Sequence, residues 1–141
     1  MSGQALRIIP RQVFDFSYLA TSGTETRVLA GKIPTAGFTE AELLVRIHNV
    51  TISGGTPTID VDVILDNSTD EDPANDFLGA TAITGGTSTV DVNSTDGTAN
   101  LVAITGSLGS AVAVRVVATQ DAQNAETLVA DISVDLILKS A

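Results

Sequence analysis

The sequence contains no cysteine and no tryptophan, and it has one tyrosine, four phenylalanines and one histidine. Without cysteine there are no disulfide bonds and no thiolate metal sites, so packing alone must hold the fold. Apolar residues make up 43% of the chain but aromatic residues only 4%, so the core must consist of small aliphatic side chains. No apolar run reaches the roughly 18 residues that a membrane span needs, and no basic-then-apolar leader opens the chain. We therefore expect neither a membrane partner nor a signal peptide.

Basic residues are also scarce, at 7 against 17 acidic ones, for a formal net charge of -10. Residues 1–32 hold four basic and two acidic residues, and the remainder holds three basic and fifteen acidic ones. A body this acidic repels phosphate backbones, which argues against a nucleic-acid partner. The acidity either serves solubility alone, or the mildly basic N-terminal part docks on an acidic neighbour while the body faces water.

Alternation of apolar and polar residues is the strongest pattern in the chain. In residues 59–63 the odd positions are apolar and the even ones are aspartate, and residues 112–116 and 128–139 repeat this period of two. Such alternation is typical of antiparallel strands with one face on a core and the other in water. Their β-branched content predicts further strands over residues 13–20, 26–33, 42–50, 77–83, 87–92 and 101–105.

Glycine-containing turns separate these strands. Chain reversals are predicted at residues 22–23, 53–55, 85–86, 96–97 and 109–110, because glycine tolerates the positive φ of tight turns. No helical pattern extends beyond a single turn. The sequence therefore predicts one all-β domain over residues 12–141, an antiparallel β-sandwich of about eight or nine strands with jelly-roll or other Greek-key connections.

One hairpin can be predicted in detail. Residues 42–50 and 57–66 flank the turn at residues 53–55, and symmetric pairing about Gly54 places Arg46 opposite Asp62 and His48 opposite Asp60. Opposite charges across a strand pair stabilise it by roughly 0.2–1 kcal/mol. We expect these four side chains on a solvent-exposed face.

The residues that carry enzymatic chemistry are sparse, which predicts that the protein is not an enzyme. The one histidine, His48, falls on an outward strand face without the third group that orients a catalytic imidazole. The alternating Asp60 and Asp62 point to the same solvent face, which does not favour acid–base work by a carboxylate pair. No catalytic residue is assigned.

An acidic stretch over residues 66–76 is the one candidate metal site. It is dense in the hard oxygen ligands that calcium prefers, and a solvated surface loop is the alternative. The candidate ligands are Asp66, Asp70, Asp72 and Asp76. Apart from this calcium site, no cofactor is expected.

Residues 1–11 are predicted to form an extended N-terminal arm. Alone, such a segment cannot offset its ordering entropy and is a disordered tail. Laid on a partner, it adds a strand to an exposed sheet edge. The candidate partner-binding residues are the apolar Leu6, Ile8 and Ile9 and the basic Arg7 and Arg11.

The whole chain resembles the small β-rich virion proteins of tailed bacteriophages, in particular head decoration or cement proteins. The resemblance rests on a cysteine-free, tryptophan-free composition rich in threonine, alanine, glycine and valine, and on passages such as residues 22–30 and 61–67. It implies a β-sandwich that sits on a capsid lattice, often as a trimer, with a terminal arm that contacts the major capsid protein.

Two functions follow as expectations. The favoured one is a homo-oligomeric structural protein, synthesised in a host cytoplasm and located in the virion, which stabilises a phage capsid by binding the major capsid protein. The alternative is a calcium-assisted carbohydrate- or receptor-binding β-sandwich module of a tail or surface structure.

Overall fold

The computed structural model of the chain describes residues 3–19, 23–53, 57–66, 81–90, 97–120 and 127–140. These ranges contain strands and their connections and no helix, and hence no helix able to cross a membrane. The eight strands are β1 (Gly3–Asp15), β2 (Thr24–Pro34), β3 (Glu40–Ile52), β4 (Thr58–Leu65), β5 (Ala82–Val90), β6 (Ala99–Ile104), β7 (Ala111–Thr119) and β8 (Leu128–Lys139). The predicted all-β fold is confirmed.

The strands form two antiparallel four-stranded sheets. Sheet A has the order β1-β8-β3-β6, and sheet B has the order β2-β7-β4-β5. Apart from β4 and β5, strands that are consecutive in sequence lie in different sheets. Most connections therefore lead from one sheet to the other. This arrangement is the double-sheet jelly roll, one of the two topologies that the sequence predicted.

Small aliphatic side chains fill the space between the sheets. The six alternate residues of β8 from Leu128 to Leu138 are all fully buried, and so are Ile59, Val61 and Val63 of β4. The rings of Phe14 and Phe16 stack with centroids 6.1 Å apart. The core therefore consists mainly of small aliphatic side chains on the alternate positions of the strands, as the sequence predicted.

The predicted hairpin between residues 42–50 and 57–66 is wrong. β3 pairs with β8 and β6, and β4 pairs with β7 and β5, so the two segments belong to different sheets. Arg46 lies opposite Ser133, while the partner of Asp62 is Arg115 of β7. Alternation fixes which face a side chain occupies, but it carries no information about which strand is the neighbour.

The predicted reversal at Gly85-Gly86 is also wrong, because both residues lie inside β5. Gly85 has a φ of 82° and lies where the pairing of β4 with β5 shifts register. Just before it, the carbonyl oxygen of Thr84 accepts hydrogen bonds from the backbone N–H groups of Thr105 (2.9 Å) and Gly106 (3.0 Å). These bonds join the edge of sheet B to the end of β6 in sheet A and close one side of the sandwich.

The first strand begins earlier than predicted, at Gly3 instead of residue 13. It runs antiparallel to β8 with Gly3 opposite Lys139, so the two ends of the described chain are adjacent. Register shifts between Arg7 and Ile9 and between Ile9 and Gln12 mark bulges in β1. β1 is an edge strand of sheet A, and bulges of this kind limit the pairing of an exposed edge with other chains.

A buried serine gives a stability prediction. Ser88 of β5 is 2% exposed on the core side, and its hydroxyl has no hydrogen-bond partner in the described part of the chain. Ser88→Ala should raise the free energy of unfolding by about 1 kcal/mol, because it removes an unsatisfied buried polar group. The matched control is Ser133→Ala, which removes a hydroxyl that is 3.2 Å from His48 Nε2 and should cost about 1 kcal/mol. Urea unfolding of both variants measures the difference, and a loss for Ser88→Ala contradicts the prediction.

Candidate interaction surface on sheet A

The five candidate residues of the N-terminal segment all lie in β1. Ile9 is buried in the core, and Leu6 and Ile8 are half-buried against it. Arg7 and Arg11 lie on the outer face of sheet A, which is the face turned away from sheet B. The apolar members of the predicted arm therefore pack within this chain.

Each of the two arginines bonds an aspartate of β8. Arg7 Nε donates to Asp135, and the Arg11 guanidinium donates to Asp131 from Nε to Oδ1 at 3.2 Å and from Nη2 to Oδ2 at 2.9 Å. The Arg11 contact is bidentate, which is the stronger geometry for an arginine–carboxylate pair. The basic N-terminal segment and part of the acidic body thus neutralise one another within the fold.

The bond from Arg11 lowers the pKa of Asp131 below its ordinary value, and hydrogen bonds from Ser17 lower the pKa of Asp15. A carboxyl group with a lower pKa in the folded state stabilises the protein above its unfolded pKa, and this contribution is lost as the pH falls through the folded pKa. We therefore expect part of the acid destabilisation below about pH 4 to come from these groups.

Asp131→Asn should accordingly flatten the dependence of stability on pH in this acid range. Arg11→Gln should flatten it by a similar amount, and the double variant should add nothing further, because both single changes remove the same contact. Urea midpoints measured between pH 2.5 and pH 6 test this prediction. Additive effects of the two substitutions would contradict it.

The other half of this face, on β3 and β6, is more apolar. Leu44 lies opposite Leu101, which is 57% exposed, and the exposed Ala99 and Ala103 flank Leu101 on β6. Arg46 lies beside Ala99 and is exposed. Together these residues form the β3–β6 patch, which consists of Leu44, Arg46, Ala99, Leu101 and Ala103.

The outer face of sheet A is nearly neutral. Among the residues that the structure describes, its four cations are Arg7, Arg11, Arg46 and Lys139, and its five anions are Asp15, Glu40, Glu42, Asp131 and Asp135. Three of the cations bond three of the anions, since Lys139 donates to Glu42. The face therefore has a formal charge of -1 in a chain of net charge -10.

The outer face of sheet B carries an ion pair that is almost buried. Arg115 Nε donates to Asp62 Oδ2 at 3.2 Å, and the Thr87 hydroxyl donates to Asp62 Oδ1 at 2.9 Å. Asp62 is only 7% exposed, so its predicted position on a solvated face is wrong. The side chain of Asp62 does point away from the core, as predicted. Its partner, Arg115, is the one charged residue in the alternating stretch 112–116, and this was the signal in the sequence for the ion pair.

A second polar cluster was not foreseen. Tyr18 is 60% exposed, and its hydroxyl bonds both Glu25 and the Arg27 guanidinium. Arg27 also lies over the Phe16 ring, 4.7 Å from its centroid. Glu25 and Arg27 pair with core-facing residues of β7, so edge strand β2 directs charge inward, which protects a sheet edge from pairing with other chains.

Of the candidate calcium ligands, only Asp66 lies within the described residues. Its carboxylate accepts a hydrogen bond from the backbone N–H of Lys32, a residue with a φ of 52°, and Asp66 is buried. Asp66 therefore supports the irregular end of β2. Asp70, Asp72 and Asp76 lie outside the described residues, and the described ones contain no cluster of three or more histidine or acidic side chains that could hold a metal ion.

Comparisons with known proteins give a structural likeness but no match to a family or to a curated sequence. Among solved structures, the chain is similar to one in the structure of infectious bursal disease virus, Gx strain, with 15% sequence identity and a TM-score of 0.47. The match covers 97% of this chain and 31% of the viral chain, so the present chain spans less than a third of that protein's length.

Proposed function

We propose that this protein is a structural component of a virion that binds the surface of a capsid and stabilises it. The observation that carries the proposal is the strand order of the two sheets. Double-sheet jelly rolls recur in viral capsid and lectin domains, and a fold of this kind limits the range of functions without fixing one. Attachment to the capsid of a tailed bacteriophage, as a decoration protein, is the specific form of the proposal.

The outer face of sheet A supports a role in protein contact. It combines an exposed leucine, small side chains and mutually neutralised charges, and the centres of protein interfaces are likewise depleted in unpaired charge. We propose this face, with Arg7 and Arg11 at its β1 edge, as the surface that contacts the major capsid protein or another virion protein. Ile9, Leu6 and Ile8 stabilise β1 from the core side in this proposal.

The experiment compares particles made with and without the protein. Cells that produce its complete source genome, and cells with this one reading frame deleted, yield particles that are separated on a density gradient. The protein should band with the complete particles, and purified protein added to the deletion particles should bind them and raise the temperature at which they release their contents. Its absence from the particle band, or binding without any rise in that temperature, would overturn the proposal.

The alternative is the calcium-assisted binding module. Jelly rolls occur in lectins, and the exposed Tyr18 ring, fixed by Arg27 and Glu25, is the described feature that favours ligand recognition. Calcium sites of extracellular modules have dissociation constants of about 0.1–1 mM. A rise in Tm at several times that concentration would support this function, and an unchanged Tm would remove its calcium-dependent form.

A further inference from the structure

Arg46 is a cation on the outer face of sheet A that has no carboxylate partner within the described part of the chain. The other three cations of this face each bond an acidic side chain. Arg46 is exposed, and its cross-strand neighbours, Ser133 of β8 and Ala99 of β6, are both uncharged. Its positive charge is therefore available to another molecule, although the chain as a whole has a net charge of -10.

The acidic side chains on either side of Ser133 are held by the first strand. Asp131 and Asp135 lie two positions before and after Ser133 on the same face of β8. Arg11 and Arg7 bond them from β1, which lies on the opposite side of β8 from β3. The side chains of the two aspartates are only 14% and 13% exposed. Together with the arginine of β3, three cations face two anions here, so this part of the face has a formal charge of +1.

A bulge in β3 brings the one histidine of the sequence to the same place. The pairing of β3 with β8 shifts register between Ile47 and Asn49, so His48 is the extra residue of the bulge. Bulges of this kind re-aim a side chain. His48 Nε2 lies 3.2 Å from the hydroxyl of Ser133, which is the residue opposite Arg46. The imidazole and the guanidinium group therefore both adjoin Ser133.

We propose that Arg46 and His48 bind a carboxylate group of the virion protein that contacts this face. A guanidinium group can donate two parallel hydrogen bonds to one carboxylate, and a protonated imidazole adds a second positive charge beside it. Leu44 and the exposed Leu101 follow Arg46 along the same two strands, so the recognised acidic residue is one with apolar neighbours. The inference rests on the virion role proposed above and names the chemistry of the partner.

Charge complementarity favours a single carboxylate over a larger anionic partner. A nucleic acid presents a continuous row of phosphates, which a chain of net charge -10 repels. A single carboxylate is affected mainly by the charges close to it, because charges farther away than about 8 Å are largely screened at physiological ionic strength. The local charge of +1 around Ser133 therefore attracts an acidic side chain, and the rest of the acidic body opposes it only weakly.

His48 makes this contact dependent on pH. The charge of a histidine ordinarily changes between about pH 5 and pH 8. The charged groups near His48 are Asp131 of β8, Arg11 of β1 and Arg46 of its own strand, and β6 has none. Asp131 and Arg11 neutralise one another, so protonation of His48 adds a positive charge beside the bound carboxylate. Binding should therefore strengthen from about pH 7.5 to about pH 5.5, where the carboxylate of the partner is still ionised.

The test measures the dissociation constant of the purified full chain for the deletion particles described above, by cosedimentation over a range of protein concentrations. Arg46→Gln should raise this constant about ten-fold, and Arg46→Glu about a hundred-fold, because the second change places like charges together. Lys32→Gln is the matched control. It removes one positive charge from β2, outside the proposed surface, and should leave the constant unchanged. Circular dichroism confirms that all variants fold.

His48→Gln tests the pH dependence. Wild-type protein should bind the particles several-fold more tightly at about pH 5.5 than at about pH 7.5, and His48→Gln should lose this difference. Binding of Arg46→Glu as tight as that of wild type, or a His48→Gln variant that keeps the full pH dependence, would overturn the inference and leave the virion role intact. Failure of the wild-type protein to bind the particles at all would overturn both.

Discussion

Gly85→Ala is expected to lower the free energy of unfolding by about 3 to 5 kcal/mol, through backbone strain and overpacking together. Gly85 has a φ of 82°, which L-residues rarely adopt. An added Cβ atom would also lie 2.5 Å from the carbonyl oxygen of Ala103 and 3.1 Å from the backbone nitrogen of Thr105. The substitution therefore forces β5 away from β6 at the point where hydrogen bonds to Thr84 close the sandwich.

Gly37→Ala is the control that separates strain from crowding. Gly37 has a comparable φ of 89°, but an added Cβ atom meets nothing within 4 Å. Its cost should be limited to the left-handed conformation, about 1 to 2 kcal/mol. Urea unfolding of the two variants measures the difference in their free energies of unfolding. Equal losses of stability would show that the contact between Gly85 and Ala103 does not add to the cost of strain.

Arg115→Met is the second substitution with a large expected effect, a loss of about 3 to 5 kcal/mol, because it leaves a buried carboxylate without its cation. Asp62 is 7% exposed and Arg115 is 8% exposed, so water cannot replace the lost contact. Arg115 makes a further interaction besides the one with Asp62, which adds to the loss. The same substitution at Arg11, whose side chain is largely exposed, should have a much smaller effect because solvent screens that pair.

A double substitution distinguishes the cost of a stranded charge from the loss of packing. Replacement of a whole buried ion pair by apolar residues of similar size is often close to neutral. Arg115→Met combined with Asp62→Leu should therefore be more stable than Arg115→Met alone, as measured by urea unfolding. If the double variant were the less stable of the two, the charge of Asp62 would not be the source of the loss.

The amino-acid pattern predicted which residues face the core far better than it predicted which strands are neighbours. The alternation in residues 128–139 identified the buried face of β8 correctly along its whole length. The same kind of alternation in residues 42–50 and 57–66 led to a false hairpin, because a jelly roll connects β3 to β4 across the sandwich. The period of a strand is local, whereas its partner depends on the path of the whole chain.

The candidate surface was foreseen only in part, for the same reason. Arg7 and Arg11 were identified as functional candidates because they stood out as basic residues in an acidic chain. Their partners, Asp135 and Asp131, lie 128 and 120 positions away, and nothing in the local sequence points to them. Arg46 was assigned to Asp62, whereas its neighbours across the strands are Ser133 and Ala99, which became visible only when the strand order was known.

The pairing of Gly3 with Lys139 has a consequence for how this domain can be joined to other polypeptides. Because Gly3 at the start of β1 lies beside Lys139 at the end of β8, these two strand ends share a single corner of the domain. A short flexible linker can bridge that corner, so circular permutation should leave the fold intact. For the same reason, the domain can be inserted into a surface loop of a host protein without separating the two ends of the loop.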